Sequence, residues 1–179
     1  MPDALPIYLV GPRACGKTTA GRLLAERLGR EFVDTDELLV ARFGGSIAEF
    51  VAAHGWEAFR DEESAVLELL AANAAAGARA GMLVVSCGGG IVLRSRNREI
   101  LTAGRTLYLH AAPEVLAARL TADPLEAQRP SLTGKSATEE VREVLASREP
   151  RYREVARAVL DGCAPLEAVV RQAMEVAGD

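Results

Sequence analysis

The chain has 179 residues, of which 49% are hydrophobic and 26% charged, a composition typical of one globular domain spanning residues 1–179. Its net charge of −4 argues against a general nucleic-acid binder or a protein that binds anionic membranes. Three scattered cysteines favour free thiols over a disulfide framework, and the N-terminus lacks a signal-peptide pattern, so we expect a cytoplasmic protein.

Short apolar runs alternate along the chain with helical patterns, which predicts a parallel β-sheet covered by helices. Strands are expected at residues 7–10, 31–33, 82–86, 105–109 and 158–160. Ser46 and Glu49 have the spacing of a capping box, which starts a helix that Gly55 ends. Pro113 and Pro165 suit the first turns of two later helices. The order of elements predicts an α/β fold whose ligands bind beyond the carboxyl ends of the strands.

The first strand leads directly into residues 11–18, Gly-Pro-Arg-Ala-Cys-Gly-Lys-Thr, which match the phosphate-binding P-loop pattern. Gly11 and Gly16 permit a tight turn that directs successive N–H groups toward a phosphate chain. The helix starting near Lys17 adds its positive dipole end. The pattern assigns Lys17 to the β- and γ-phosphates and the Thr18 hydroxyl to Mg²⁺. The chain is therefore expected to bind ATP or GTP.

A P-loop alone does not separate kinases from GTPases and motor ATPases, so the residues after the other strands must discriminate. Asp34 and Asp36 follow the second strand and precede a helix. One carboxylate could orient the water ligands of Mg²⁺, while the other reaches an acceptor hydroxyl as a base or hydrogen-bond partner. The alternative is that Thr35 or Asp36 merely caps the helix. The sequence contains no guanine-reading Asn-Lys-x-Asp segment, which argues against a GTPase.

Two further motifs bear on the acceptor. Arg60 and Glu63 share one face of a helical pattern. The pair could be a surface salt bridge, or Glu63 could orient the guanidinium fork of Arg60 toward a carboxylate ligand. Gly88, Gly89 and Gly90 follow the third strand in direct succession. A tight turn needs fewer glycines, so this run predicts backbone N–H groups that approach a ligand closely.

Residues 123–136 break the alternation of strands and helices, with two prolines, a glycine, two cations and few core residues. A loop of this length requires either a function or disorder to explain it. In a phosphoryl-transfer enzyme it would be a lid that closes over the nucleotide and excludes water. The alternative is a plain linker.

Taken in order, the P-loop, Phe-Val-Asp-Thr-Asp, Phe-Arg-x-x-Glu, Gly-Gly-Gly-Ile and Arg-Pro-Ser-Leu-Thr-Gly make the chain resemble the shikimate kinase family over nearly its whole length. These P-loop enzymes phosphorylate the 3-hydroxyl of shikimate with MgATP to give shikimate 3-phosphate, a step of chorismate and aromatic amino acid biosynthesis. The Gly-Pro-Arg opening and Cys15 look closest to the second of the two enterobacterial isoenzyme types.

The resemblance implies a three-layer α/β sandwich around a central five-stranded parallel sheet, of the P-loop NTPase and nucleoside monophosphate kinase-like type. It implies a substrate-binding region at about residues 35–62 and a mobile lid at about residues 123–137. The implied partners are the small molecules shikimate and ATP, with Mg²⁺ as cofactor, and no nucleic acid or membrane. A monomer is the family-based expectation.

On the acceptor side, the resemblance places Asp36 on the shikimate hydroxyls, where it could act as general base. Arg60 and Arg148 match the guanidinium groups that clamp the shikimate carboxylate, and Glu63 supports Arg60. Gly89 offers its N–H to the substrate. The implied shikimate-binding residues are Asp36, Arg60, Glu63, Gly88, Gly89, Gly90 and Arg148.

On the phosphate side, the resemblance places Asp34 near Mg²⁺, through water, and Arg119 on the adenine ring. Arg129 matches the lid arginine that moves onto the transferring phosphate and stabilises its charge. The implied nucleotide-binding residues are Gly11, Arg13, Ala14, Cys15, Gly16, Lys17, Thr18, Thr19 and Arg119. The implied catalytic residues are Lys17, Asp36 and Arg129, and the implied metal ligands are Thr18 and Asp34.

Departures from the family pattern are small. Ser86 and Cys87 precede the glycines where other members often carry Thr or Leu, and Arg151 replaces a commoner Leu. Neither departure is expected to touch the inferred chemistry. Two alternatives stay open: another small P-loop kinase, such as a gluconate or nucleoside monophosphate kinase, and a nucleotide-dependent regulatory module without turnover. The glycine run and the Phe-Arg motif favour shikimate, while the Asp-Thr-Asp segment and the long loop argue against the module.

Overall fold

The structure is a computed structural model that describes residues 5–75, 82–122 and 136–178. Arg129 and residues 123–135 of the expected lid lie outside these ranges. Within the described ranges, none of the helices is long and apolar enough to cross a membrane.

The described strands form one parallel sheet, as the sequence predicts. They are β1 (Ile7–Val10), β2 (Glu31–Asp34), β3 (Leu83–Ser86), β4 (Arg105–His110) and β5 (Ala158–Asp161). Their order across the sheet is β2-β3-β1-β4-β5, with Leu9 of β1 opposite Ser86 of β3 and Leu107 of β4. The expected strand ends differ from the observed ends by at most one residue.

The helices of the described ranges are α1 (Lys17–Leu28), α2 (Thr35–Phe43), α3 (Ile47–Ala75), α4 (Ser95–Ala103), α5 (Pro113–Ala122), α6 (Ala137–Val155) and α7 (Leu166–Gly178), with a 3₁₀ turn at Ile91–Leu93. Crossovers between parallel strands are right-handed. The chain moves across the sheet in one direction from β1 to β2 and in the opposite direction from β2 to β3 and from β3 to β4. This reversal places α1 on one face of the sheet and α3 and α4 on the other. The contacts agree, because α1 packs against α7 while α4 packs against α3 and α6. The expected three-layer α/β fold is confirmed.

The core lies on both faces of the central strand. Ile7, Tyr8, Leu9 and Val10 are each at most 1% exposed. A parallel strand covered by helices on both sides has no polar face, which explains why β1 reads as an uninterrupted apolar run. The strand therefore holds the start of the P-loop rigidly at its carboxyl end.

The capping box is confirmed, with the Ser46 N–H bonded to Glu49 Oε2 (2.8 Å). The helix that it starts ends at Gly55 as expected, because Gly55 (φ 84°, ψ 168°) is not helical, and α3 consists of two helical segments that meet at this kink. α6, which the sequence did not reveal, runs through Pro150. Proline disfavours a helix interior, yet burial of side chains such as Tyr152 on the core stabilises this one.

Candidate active site

The P-loop leaves β1 through residues with positive φ. Gly11 has φ 150°, and a Cβ there would lie 2.6 Å from the Leu109 carbonyl oxygen, so the position requires glycine. Ala14, with φ 61°, is the sole non-glycine residue of the described ranges with positive φ. Gly16 (φ 97°) precedes α1, and no described side chain caps this helix. The first N–H groups of α1 are thus left for an anion.

Lys17 is buried at the base of this loop. Its ammonium donates to the carbonyl oxygens of Gly11 (2.9 Å) and Pro12 (2.7 Å) and lies 3.6 Å from Cys15 Sγ. The Cys15 thiol is also buried, so a nucleotide would meet the backbone of this residue and not its sulfur. The positive charge of Lys17 therefore lies directly under the cradle that the phosphates would occupy.

Asp34 joins the P-loop to the start of α2 through its two oxygens. Oδ2 accepts from Thr18 Oγ1 (2.8 Å), and Oδ1 accepts from the Asp36 N–H (2.9 Å). Asp34 is therefore the N-cap of α2, and the alternative that Thr35 or Asp36 caps this helix is wrong. The cap fixes the carboxylate of Asp34 beside the hydroxyl of Thr18.

The oxygens at this corner suit a magnesium ion. Thr18 Oγ1 lies 2.8 Å from Asp34 Oδ2 and 3.4 Å from Ser86 Oγ, and hard oxygen donors are the ligands that Mg²⁺ prefers. Ser86, a departure from the family pattern, thus lies beside Thr18, one of the two residues expected to hold the ion. β3 ends at Ser86, which places that hydroxyl at the carboxyl edge of the sheet.

Gly88–Gly90, hereafter the glycine loop, packs against acceptor-side carboxylates. The Gly88 N–H donates to Thr35 Oγ1 (2.9 Å). A Cβ at Gly88 would lie 2.7 Å from Glu63 Oε1 and 2.8 Å from Asp36 Oδ1. Because its N–H is already bonded, the evident role of Gly88 is to leave space for these two carboxylates.

Arg60 and Glu63 form a buried ion pair one turn apart on α3. Their side chains are 11% and 2% exposed, so the alternative of a surface salt bridge is wrong. The Arg60 guanidinium lies 5.2 Å from the Trp56 ring centroid, and a Cβ at Gly90 would overlap it. Burial raises the pKa of the Glu63 carboxyl, and the charge of Arg60 opposes that rise. The guanidinium group of Arg60 is therefore held in place by the Trp56 ring and the Glu63 carboxylate, in space that the missing side chain of Gly90 leaves open.

Arg148 reaches the glycine loop from α6. Its Nη1 donates to the Gly89 carbonyl oxygen (3.1 Å), and Tyr152, one turn later, donates its hydroxyl to the same oxygen (2.5 Å). Burial lowers the pKa of Arg148, and the neighbouring charge of Arg60 acts in the same direction. The structure therefore brings Arg60 and Arg148 to one cavity, as the sequence analysis requires, and two neighbouring half-buried guanidinium groups favour an anion between them.

Arg119 of α5 bridges the P-loop and the loop after β5. Its guanidinium donates to the carbonyl oxygens of Ala14 (3.2 Å) and Gly162 (3.1 Å). A Cβ at Gly162 would lie 2.9 Å from the Cys15 carbonyl oxygen, so only glycine allows this close approach. Arg119 thus stands at the edge of the P-loop, where the resemblance expects adenine.

Two cavities meet at this edge of the sheet. The larger, of about 490 Å³, follows the P-loop and reaches Arg119. The smaller contains Arg60 and Arg148 beside an apolar wall that includes Trp56. Both cavities are lined by Arg13, Asp36 and Gly89. A phosphate chain in the first cavity and a small anion in the second would therefore be neighbours.

Sequence reasoning missed three side chains of this site. Thr35 stands between two carboxylates that were singled out, and Tyr152 follows Arg148 by one helical turn. Trp56 precedes Arg60 by one turn on α3. The spacing of i to i+4 on a helix was the available signal for Tyr152 and Trp56, but for Tyr152 it required knowing that α6 is helical there.

Comparison with known proteins shows the family of this chain. A family model described as shikimate kinase matches residues 13–177. The chain is 47% identical over 174 residues to shikimate kinase 2 of Yersinia enterocolitica, a match that covers 97% of this chain and 95% of that protein. It is 49% identical over 165 residues to the shikimate kinase of Nitratidesulfovibrio vulgaris, covering 92% and 90% of the two chains.

A solved structure extends the likeness to the fold. The shikimate kinase of Acinetobacter baumannii in complex with shikimate superposes with a TM-score of 0.86 at 33% identity. The superposition covers 96% of this chain and 92% of that one. The similarity therefore includes the sheet edge where the two cavities meet.

Proposed function

This chain belongs to the shikimate kinase family, and we propose that it transfers the γ-phosphoryl group of ATP to the 3-hydroxyl of shikimate, with Mg²⁺ as cofactor. One observation carries the proposal: a cavity suited to a polyphosphate and a cavity suited to a small carboxylate meet at Asp36. Phosphoryl transfer needs little from a protein beyond such positioning and the stabilisation of charge.

The P-loop cavity has the groups that a nucleoside triphosphate needs. The uncapped first turn of α1 supplies N–H donors for phosphate oxygens. Lys17 lies at the base of the cavity, and its ammonium would exchange the carbonyl oxygens of Gly11 and Pro12 for the β- and γ-phosphates. Arg119 is planar and cationic, which suits it to stack on adenine at the edge of the cavity.

Thr18 and Asp34 are the residues that would hold Mg²⁺ beside the phosphates, with Ser86 next to them. The ion, when bound, neutralises negative charge on the β- and γ-phosphates. Asp34 needs no rearrangement to face this site, because its second oxygen is fixed by the α2 cap. The Thr18 hydroxyl is held by the same carboxylate.

The smaller cavity suits a compact hydroxy acid. Arg60 and Arg148 can grip its carboxylate with two planar forks, and Trp56 offers an apolar wall to a ring. Asp36 stands where the cavities meet, so its carboxylate can accept the proton of the attacking hydroxyl. The N–H of Gly89 is the proposed backbone donor to the substrate.

Arg129 stays a prediction. It lies outside the described residues, and we propose that it stabilises charge on the transferring phosphoryl group while residues 123–135 exclude water. We further propose a cytoplasmic, monomeric enzyme of one domain. Support comes from the two cavities, which are both lined by residues of one chain, and from the free thiols of Cys15, Cys87 and Cys163, which suit a reducing compartment.

A coupled assay of ADP release tests the substrate directly. The full chain is incubated with ATP and Mg²⁺ and, in parallel, with shikimate, gluconate or AMP. We expect turnover with shikimate alone. Turnover with gluconate or AMP and none with shikimate would refute the proposed function.

Arg148→Ala tests the anion site in the same assay. We expect a loss of shikimate binding of about 2–5 kcal/mol, because a desolvated charge pair is removed, and a nearly unchanged KM for ATP. Arg151→Ala is the matched control, since Arg151 lies on the same helix and its Nη1 donates to the nearby Ser147 carbonyl oxygen at the surface. Equal losses of shikimate and ATP binding in Arg148→Ala would contradict the assignment.

A further inference from the structure

The glycine loop is held from two sides by buried hydroxyl groups. Thr35, fully buried, accepts the Gly88 N–H at 2.9 Å. Tyr152, also fully buried, donates to the Gly89 carbonyl oxygen at 2.5 Å. Glycine has no Cβ to restrict its backbone, so the loop depends on such bonds for a fixed conformation.

These bonds and a turn bond within the loop determine where the remaining backbone donors point. The Gly88 carbonyl oxygen accepts from the Ile91 N–H at 3.0 Å, so the Gly89 N–H, on the same trans peptide, points away from Ile91. The Gly89 carbonyl oxygen is taken by Tyr152 and Arg148, which directs the Gly90 N–H away from α6. Gly89 lines both cavities, so its orientation matters to any molecule that enters them.

We propose that Thr35 and Tyr152 are positioning residues for the acceptor, whose hydroxyls hold the glycine loop in the orientation that receives shikimate. This inference rests on the proposed function. Each hydroxyl ties the loop to an element that carries a substrate-side charge: Thr35 to α2 beside Asp36, and Tyr152 to α6 one turn after Arg148.

Tyr152 has a particular task when the carboxylate binds. Arg148 shares the Gly89 carbonyl oxygen with it, and an Arg148 fork that turns to the substrate would release this acceptor. A carbonyl group withdrawn in part from solvent still needs a donor, and the Tyr152 hydroxyl remains as one. Burial raises the pKa of Tyr152 above its usual range, so the hydroxyl keeps its proton at neutral pH.

Hydroxyl-deleting variants of the full chain test the inference, each with a matched control. Thr35→Val and Tyr152→Phe remove the two anchors, and Thr35→Ser keeps a hydroxyl. Thr106→Val removes another fully buried threonine hydroxyl, which bonds the Leu101 carbonyl oxygen at 2.6 Å. Tyr108→Phe removes a buried tyrosine hydroxyl that has no hydrogen-bond partner among the described residues, from the ring stacked on Tyr152.

The measurements are the KM values for shikimate and ATP, the shikimate Kd by calorimetry and hydrogen exchange of the Gly88 amide. For Thr35→Val and Tyr152→Phe we expect the shikimate KM and Kd to rise about tenfold, the equivalent of one buried hydrogen bond. The ATP KM should stay within about twofold. The Gly88 amide should exchange faster in Thr35→Val. Thr35→Ser should restore both the affinity for shikimate and the slow exchange of Gly88. The controls at Thr106 and Tyr108 should leave the KM values unchanged.

The outcomes distinguish a failure of this inference from a failure of the proposed function. An active wild-type enzyme whose shikimate KM is unchanged in both variants would overturn the inference alone. Equal rises for shikimate and ATP would also overturn it, because they indicate a merely structural role. Wild-type protein that binds shikimate without phosphorylating it would refute the proposed function, and the Kd series would still decide the inference. Wild-type protein that does not bind shikimate would refute both.

Discussion

Removal of the Arg60 side chain should leave a carboxylate buried without its partner. Glu63 is 2% exposed and pairs with Arg60 on the same helix. Breaking a buried ion pair from one side costs about 3–5 kcal/mol, because the remaining charge has lost both water and partner. We therefore expect Arg60→Ala to lower the free energy of unfolding by about that amount at pH 7.

The loss should depend on pH in a definite direction. Burial raises the pKa of Glu63 in the folded protein, and Arg60 is the first charge that opposes the rise, so the variant pKa should be higher still. A carboxyl whose folded pKa exceeds the unfolded value of about 4.3 binds its proton more tightly when folded. Its protonation therefore stabilises the variant at low pH, and that stability is lost as the pH rises through the raised pKa.

Urea unfolding at several pH values between about 4.3 and 7 measures this effect. The deficit of Arg60→Ala relative to wild type should shrink as the pH falls. The double variant Arg60→Ala/Glu63→Gln should recover part of the stability at pH 7, because the buried charge is gone. Both variants should bind shikimate more weakly than wild type, since both lack the Arg60 guanidinium that grips the carboxylate.

Two results would refute this reasoning. The first is an equal deficit of Arg60→Ala at low and neutral pH, which would mean that Glu63 is not the source of the cost. The second is a double variant that is no more stable than the single variant at pH 7. Either result would indicate that packing around Trp56, and not charge, explains the loss.

Two further predictions concern the phosphate and glycine sides of the site. Lys17→Met should lower kcat about 10²–10³-fold, because one donor to the developing phosphoryl charge is removed. The shikimate Kd measured by calorimetry should change little. A kcat near that of wild type would count against the role of Lys17. Gly88→Ala should destabilise the protein by about 1–3 kcal/mol in urea unfolding, because its Cβ would meet carboxylate oxygens. Gly89→Ala should stay within about 1 kcal/mol of wild type, since the nearest atom to its Cβ would be at 3.5 Å. Equal costs at Gly88 and Gly89 would show that the packing described for the glycine loop is incorrect.

Local patterns predicted the scaffold well. β1 and β3 were found within one residue because a parallel strand buried on both faces is a short apolar run, which is visible without any contact information. The P-loop could also be predicted from the sequence. Its glycines are required by backbone torsions such as φ 150° at Gly11, and such torsions depend on only a few neighbouring residues. α6 was not predicted at all, and Pro150 inside it shows that tertiary burial outweighs local propensity there.

Chemical roles at the acceptor side needed more than local patterns. The spacing of Arg60 and Glu63 is the same in a surface salt bridge and in a buried pair, so only the packing of α3 against the glycine loop decides between them. Likewise, Asp34 and Asp36 were recognised as a pair. Which residue caps α2, however, depends on the direction in which the chain leaves β2.

The amino-acid sequence by itself determined the family, the order of the strands along the chain and the residue types gathered at the carboxyl edge of the sheet. The tertiary structure alone decided which of those residues touch. Thr35 meets Gly88 across 53 positions of the chain, and Tyr152 meets Gly89 across 63. Contacts at such separations arise from the order β2-β3-β1-β4-β5 and the packing of α6 on the core, and no periodicity along the chain encodes them.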